Sequence, residues 1–252
     1  MKVKVPYFLL AIAAFILFAG CQKSIVAKTG MVKFTFRNMV NTAPMALDAT
    51  TYTNAFGETY TISRFKYYVS NIRLTGTSTK AIENESYHLV DESIPGSLSF
   101  SFETDENTFS GISFLLGVDS TRNVSGAQTG ALDPLNDMFW TWNSGYIMAK
   151  MEGTSPQSNQ AGSKIEYHIG GFSGVNNTLK TIDLAFPAGK TLIISEGKTS
   201  NVRLEADFNK WWQTPNDIKI VNLPVCTTPG ALAKQVADNY SKMFTITDVV
   251  NN

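Results

Sequence analysis

Over most of this chain, apolar residues recur at every second position. Val32, Phe34 and Phe36 alternate with Lys33, Thr35 and Arg37. Leu98, Phe100 and Phe102 alternate with serines, and Ile112, Phe114, Leu116 and Val118 continue the period. Val202, Leu204, Ala206 and Phe208 form another such set. A two-residue period sends successive side chains to opposite faces, so each set predicts a strand with one buried face. Further strands are expected over 61–74, 86–90, 165–169, 179–186 and 191–195. Within 61–74, Phe65, Tyr67 and Val69 share a face before Ser70-Asn71 moves the phase to Ile72 and Leu74, which predicts a bulge or two successive strands. Gly, Asn, Asp and Pro turns separate the sets, the pattern of an all-β chain folded as an antiparallel β-sandwich. One stretch departs from it. Thr228 and Pro229 open a segment in which Leu232, Val236, Tyr240 and Met243 fall at helical spacing. Thr228 is suited to cap that helix and Pro229 to its first turn. A short C-terminal amphipathic helix covering one end of the sandwich is expected.

The first residues follow a different logic. Lys2 and Lys4 precede an apolar run over 8–18, which ends in Phe18-Ala19-Gly20-Cys21. That run is too short to span a bilayer and reads as a lipoprotein signal peptide over 1–20. Lipidation of Cys21 is expected, with 21–30 as a tether and 31–252 as a single domain. Two or more acyl chains make such an anchor stable. Gln22, rather than Asp, after the cysteine points to the outer membrane.

Composition narrows the chemistry. The chain holds 21 basic and 21 acidic residues and two cysteines. Cleavage at Cys21 leaves only Cys226 unmodified, so no disulfide framework is expected. A neutral balance argues against nucleic acid as a partner. No Cys-x-x-Cys, G-x-S-x-G, Walker or dinucleotide motif occurs, and the chain is not expected to be an enzyme.

Only two histidines are present, His88 and His168. Ile165, Tyr167 and Ile169 form the apolar face of their strand, so His168 points the other way, immediately before Gly170-Gly171. A histidine off the core face, beside glycines that admit close approach, is a candidate ligand; a plain surface histidine has the same pattern. His88 alternates likewise against Tyr87 and Leu89. The densest aromatic stretch is 117–153, with Trp140 and Trp142 two apart and expected to share a face. Of the adjacent Trp211 and Trp212, one ring is expected inside and one at the surface. Core packing is the default for such rings; a stacking platform for a sugar and part of a redox or metal site are the alternatives.

The segments SRFKYYVSNIRL (63–74), YHLVDES (87–93), ISFLLGVDSTRN (112–123), DPLNDMFWTWNSGYIMAKMEG (133–153) and YHIGG (167–171) together resemble the MbnP-like family. The order GVD, DP, then MFWTWNSGY is the specific part. The resemblance implies an exported copper-binding protein, and many members are lipoproteins. It implies ligation by histidine together with a tryptophan oxidised to kynurenine by a di-haem MauG-like partner. His168 matches the family histidine and Trp140 or Trp142 the modified tryptophan, while His88 is a weak second metal candidate. The implied role is copper acquisition or homeostasis. The alternative is a glycan- or protein-binding β-sandwich surface lipoprotein without metal, with Trp140, Trp142 and Trp211 as its platform.

Overall fold

The computed structural model describes residues 28–48, 50–76, 80–83, 85–142 and 145–252. The expected signal peptide, Cys21 and most of the tether lie outside these residues, as do Asn143 and Ser144 of the central motif. Two sheets face each other. The smaller contains β1 (Thr29–Val40), β4 (Ser99–Asp105), β10 (Thr199–Asp207) and β12 (Phe244–Val250) in the order β12-β10-β1-β4. The larger is built on β2 (Arg64–Thr75). One edge of β2 pairs with β3 (Tyr87–Asp91); the other pairs with β7 (Gly145–Thr154) over its first half and β5 (Gly111–Leu116) over its second. Beyond these stand β8 (Lys164–Gly170) next to β7 and β9 (Lys180–Ala185) next to β5. The short β6 (Phe139–Trp140) pairs with the start of β7, and β11 (Val225–Cys226) borders β8.

The β-sandwich is therefore observed, with two additions. β1 pairs with β10, and β8 with β11, in parallel. β1 also already includes Thr29 and Gly30, so the first strand begins within the segment read as tether.

The two-residue periods become the core directly. Phe34 and Phe36 from β1 and Leu204 from β10 face Phe65, Tyr67 and Ile169 of the larger sheet, all at most 3% exposed. Each such side chain contributes roughly 1.5–3 kcal/mol on burial. The phase shift in β2 is a bulge: Ser113 stands opposite Arg73 but Leu115 opposite Ser70, and Asn71 has φ 52. Asparagine tolerates that left-handed conformation better than most residues. The shift returns Ile72 and Leu74 to the core.

Two elements differ from the sequence reading. The helix α2 runs Ala231–Tyr240, and its N-cap is Gly230 rather than Thr228. A residue before proline is disfavoured in the helical region, so the helix starts beyond Pro229. Met243 then falls beyond the helix, in the turn into β12, yet is buried against Trp211 at 3.4 Å from its Nε1. Trp211 and Trp212 are both 1% exposed. They belong to the 3-10 turn Phe208–Trp212, which directs both rings inward rather than to alternate faces.

Candidate functional site

The central stretch is a cover for the outer face of the larger sheet. Gly117 (φ +122) turns the chain where a Cβ would lie 2.7 Å from Leu179 and 2.9 Å from Met148 Sδ. Asp119 then caps the short helix α1 (Ser120–Asn123), accepting from Arg122 N, and also accepts from Asn71 Nδ2 and Tyr87 OH. Burial alone would raise the Asp119 carboxyl, but these donors hold it below the ordinary range. Asn123 is buried and pins the cover to β7, its Oδ1 accepting from Tyr146 N at 2.8 Å. Asp133 caps the turn Pro134–Asn136, and Asp137 leaves it at φ 60. The result is a second apolar cluster, separate from the inter-sheet core, that includes Tyr68, Leu132, Met138, Trp140 and Ile147.

Trp140 lies at the edge of this cover, 6% exposed. Its ring rests on Gly170, where an added Cβ would stand 2.5 Å from Cζ3. Gly170 is two residues from His168, and residues two apart on a strand share a face. The indole and the imidazole therefore occupy one corner of the outer face. Trp142 is 63% exposed, with its ring centroid 5.6 Å from that of Trp140. The two rings touch but do not share an environment: Trp140 is held by the β6–β7 pairing, whereas Trp142 follows in the turn.

His168 sits in a charged network that no sequence motif announced. Its Nε2 is 2.9 Å from Glu152 Oε1. Arg64 Nε is 3.3 Å from the other oxygen of Glu152, and Lys150 Nζ is 3.6 Å from Oε1. Lys150, only 2% exposed, also reaches Asp137 at 2.7 Å, which ties the cover to the sheet. The Glu152 carboxyl is held down to about 2, first by the His168 hydrogen bond and, against burial, by the Lys150, His168 and Arg64 charges.

His88 is elsewhere. It stands opposite Val69, a residue of the inter-sheet core, and its ring stacks on Phe100 of the smaller sheet at 3.6 Å and 3°. Its Nε2 is 3.0 Å from Glu83 Oε2. From β8 through β7 and β2 to β3 is three strand spacings, about 14 Å. The two histidines also leave opposite faces of the larger sheet, so one ion cannot take both. The alternation around His88 is real, but its faces are reversed from the sequence reading: Tyr87 and Leu89 pack against the cover and His88 turns inward.

The family model for MbnP matches residues 29–228. The chain belongs to the MbnP family. The solved structure of MbnP from Methylosinus trichosporium shares its fold with a TM-score of 0.55 at 12% identity, covering 89% of this chain and 99% of that one. No curated protein matches the chain.

For an MbnP-family chain the question is whether the residues fit the copper ion that the resemblance implies. Among the described residues, no group of three or more His, Cys, Asp or Glu side chains is placed to hold a metal. Indole nitrogen is a donor only and offers no lone pair. His168 does fit, because an imidazole tied to a carboxylate through one nitrogen is the usual arrangement of a metal-ligating histidine. The corner thus offers one imidazole and no second metal donor among the described residues, and His88 does not complete it. Sequence reasoning singled out His168 and Trp140 but not their neighbours Glu152, Lys150, Arg64 and Asp137. Their signal is the β7–β8 register, in which Lys150 pairs with His168 and Glu152 with Glu166.

Proposed function

We propose that this protein is a non-enzymatic, extracytoplasmic MbnP-family protein, lipid-anchored at Cys21 in the outer membrane, that binds copper at the Trp140–His168 corner in copper acquisition or homeostasis. The observation that carries this reading is the packing of Trp140 on Gly170, on the face from which His168 projects. Imidazole nitrogen suits copper in either oxidation state. Glu152 holds the ring through a 2.9 Å hydrogen bond. Oxidation of a tryptophan to kynurenine by a di-haem MauG-like partner adds an aniline nitrogen; Trp140 is the better placed of the two, since its ring lies on the His168 face. Copper bound there would supply a redox-active, nitrogen-seeking ion.

Copper titration of the soluble domain, alongside His168→Ala and His88→Ala, tests the site. Loss of binding in His168→Ala with retention in His88→Ala is expected, and unchanged stoichiometry and affinity in His168→Ala would remove His168 as a ligand. Intact mass after native expression reports kynurenine, and detergent partitioning of Cys21→Ser reports the anchor. A second reading rests on the exposure of Trp142: a glycan platform formed by Trp140 and Trp142 alone, since Trp211 is buried. Tryptophan fluorescence that shifts with saccharides but not with copper would favour it.

A further inference from the structure

We propose that the cavity beside Arg122 is a binding site for a small organic monocarboxylate, with the Glu85 side chain as its resident plug. The site stands apart from the copper reading, which uses no residue of this cavity. The space measures about 270 Å³ and lies between Tyr87 of β3 and the cover residues Gln128, Thr129, Ala131 and Leu132. Arg122 and Glu85 complete its wall. Two contacts fix the guanidinium, and a third occupies it. Its carbon is 5.8 Å from the centroid of the Tyr87 ring, within reach of a cation–π contact. Tyr87 is itself held, because its hydroxyl donates to Asp119. Arg122 Nη1 donates to Gln128 Oε1 at 3.4 Å. Gln128 is pinned in turn, its Nε2 donating to Arg122 O at 3.0 Å and to the Tyr146 hydroxyl at 3.4 Å. The occupant is the Glu85 carboxylate, which accepts from Nη2.

The Glu85 contact is the weak one. The Glu85 side chain is 75% exposed and that of Arg122 33%, and an exposed ion pair contributes little to stability. Glu85 also stands at φ 51, a left-handed conformation that is uncommon outside glycine, asparagine and aspartate. A guanidinium carries five N–H donors in a planar fork that matches a carboxylate, so a second carboxylate can replace the first. The body of the ligand would then lie against Ala131 and Leu132. Charge selects the class. Arg122 is the one cation lining the cavity, with Glu85 beside it and Asp119 bonded to Tyr87. A monocarboxylate exchanges evenly for Glu85, whereas a dianionic phosphate adds repulsion from both acids.

Benzoate, acetate and inorganic phosphate titrated at neutral pH into the 15N-labelled protein provide the test. The readout is the Arg122 Nε–H resonance together with the backbone amides of Thr129, Ala131 and Leu132. Saturable shifts are expected with both carboxylates, at lower concentration for benzoate, whose ring adds apolar contact. Glu85→Ala should tighten benzoate binding by up to about fivefold, the equivalent of one exposed ion pair. Arg122→Gln should abolish it. The proposal is overturned if neither carboxylate saturates in the wild type or in Glu85→Ala, or if benzoate binds Arg122→Gln as it binds the wild type. Phosphate saturating below benzoate overturns the monocarboxylate assignment. Should Arg122→Gln disturb the cover, seen as a change in Trp140 emission, the exposed Glu85→Ala decides: benzoate binding unchanged or weaker there sinks the plug and the site with it.

Discussion

The two tryptophan pairs of this chain have opposite fates. Trp211 and Trp212 sit in a 3-10 turn and both rings enter the inter-sheet core, where Trp211 packs on Tyr240 and Phe65 and Trp212 on Tyr60 and Tyr167. Trp140 and Trp142 straddle the end of a two-residue strand, so one is locked under the cover and the other stands in solvent. Local backbone, rather than aromatic content, decides which pair holds the protein together and which pair presents a surface.

The contrast is broken first, and most severely, at the buried pair. Trp211→Ala should destabilise the fold by about 3–5 kcal/mol, measured as a shift of the urea midpoint. A loss below about 1 kcal/mol would mean the turn repacks and the pair is not structural. Next comes the seat of Trp140. Gly170→Ala places a methyl group against its ring and should cost about 1–3 kcal/mol by overpacking, with Trp140 emission moving to the red as the ring is displaced.

The charged network beneath that seat gives a smaller, pH-dependent effect. The folded-state carboxyl of Glu152 lies at about 2, below its ordinary 4.5. Its contribution is therefore fully present above about pH 4.5 and is lost as the pH falls through about 2. Glu152→Gln should flatten the acid limb of the stability profile by on the order of 1–2 kcal/mol, allowing for partial exposure. Smallest of all, Trp142→Ala should alter stability by less than about 0.5 kcal/mol. It should nonetheless remove most of the acrylamide-quenchable fluorescence, since the other three indoles are at most 6% exposed.

Legibility in the sequence followed how each strand is covered. β1, β5 and β10 show one apolar face each and were readable from their period. So was the bulge at Asn71, because a bulge leaves a phase shift in the pattern. β7 was not readable as a strand: the cover buries its outer face, and from Gly145 to Met151 every residue is buried. The same cover reversed the meaning of the alternation around His88. β12 was missed because Met243, just before it, was read as the tail of the helical spacing. His168 stood out from its own strand, but Glu152 could not be tied to it without knowing the β7–β8 register, which depends on a turn between them and on no motif.

The parallel pairing of β1 with β10 sets the order of assembly. Met31 stands opposite Thr199, and β10 in turn pairs with β12. Pairing at such separation makes folding slow. β2, β3, β5 and β7 can associate earlier, through shorter loops, and would wait with the inner faces of Phe65, Tyr67 and Val69 uncovered. A chain with this wiring commits late to its native state: β1 can find β4 first, but its other edge stays open until β10 arrives.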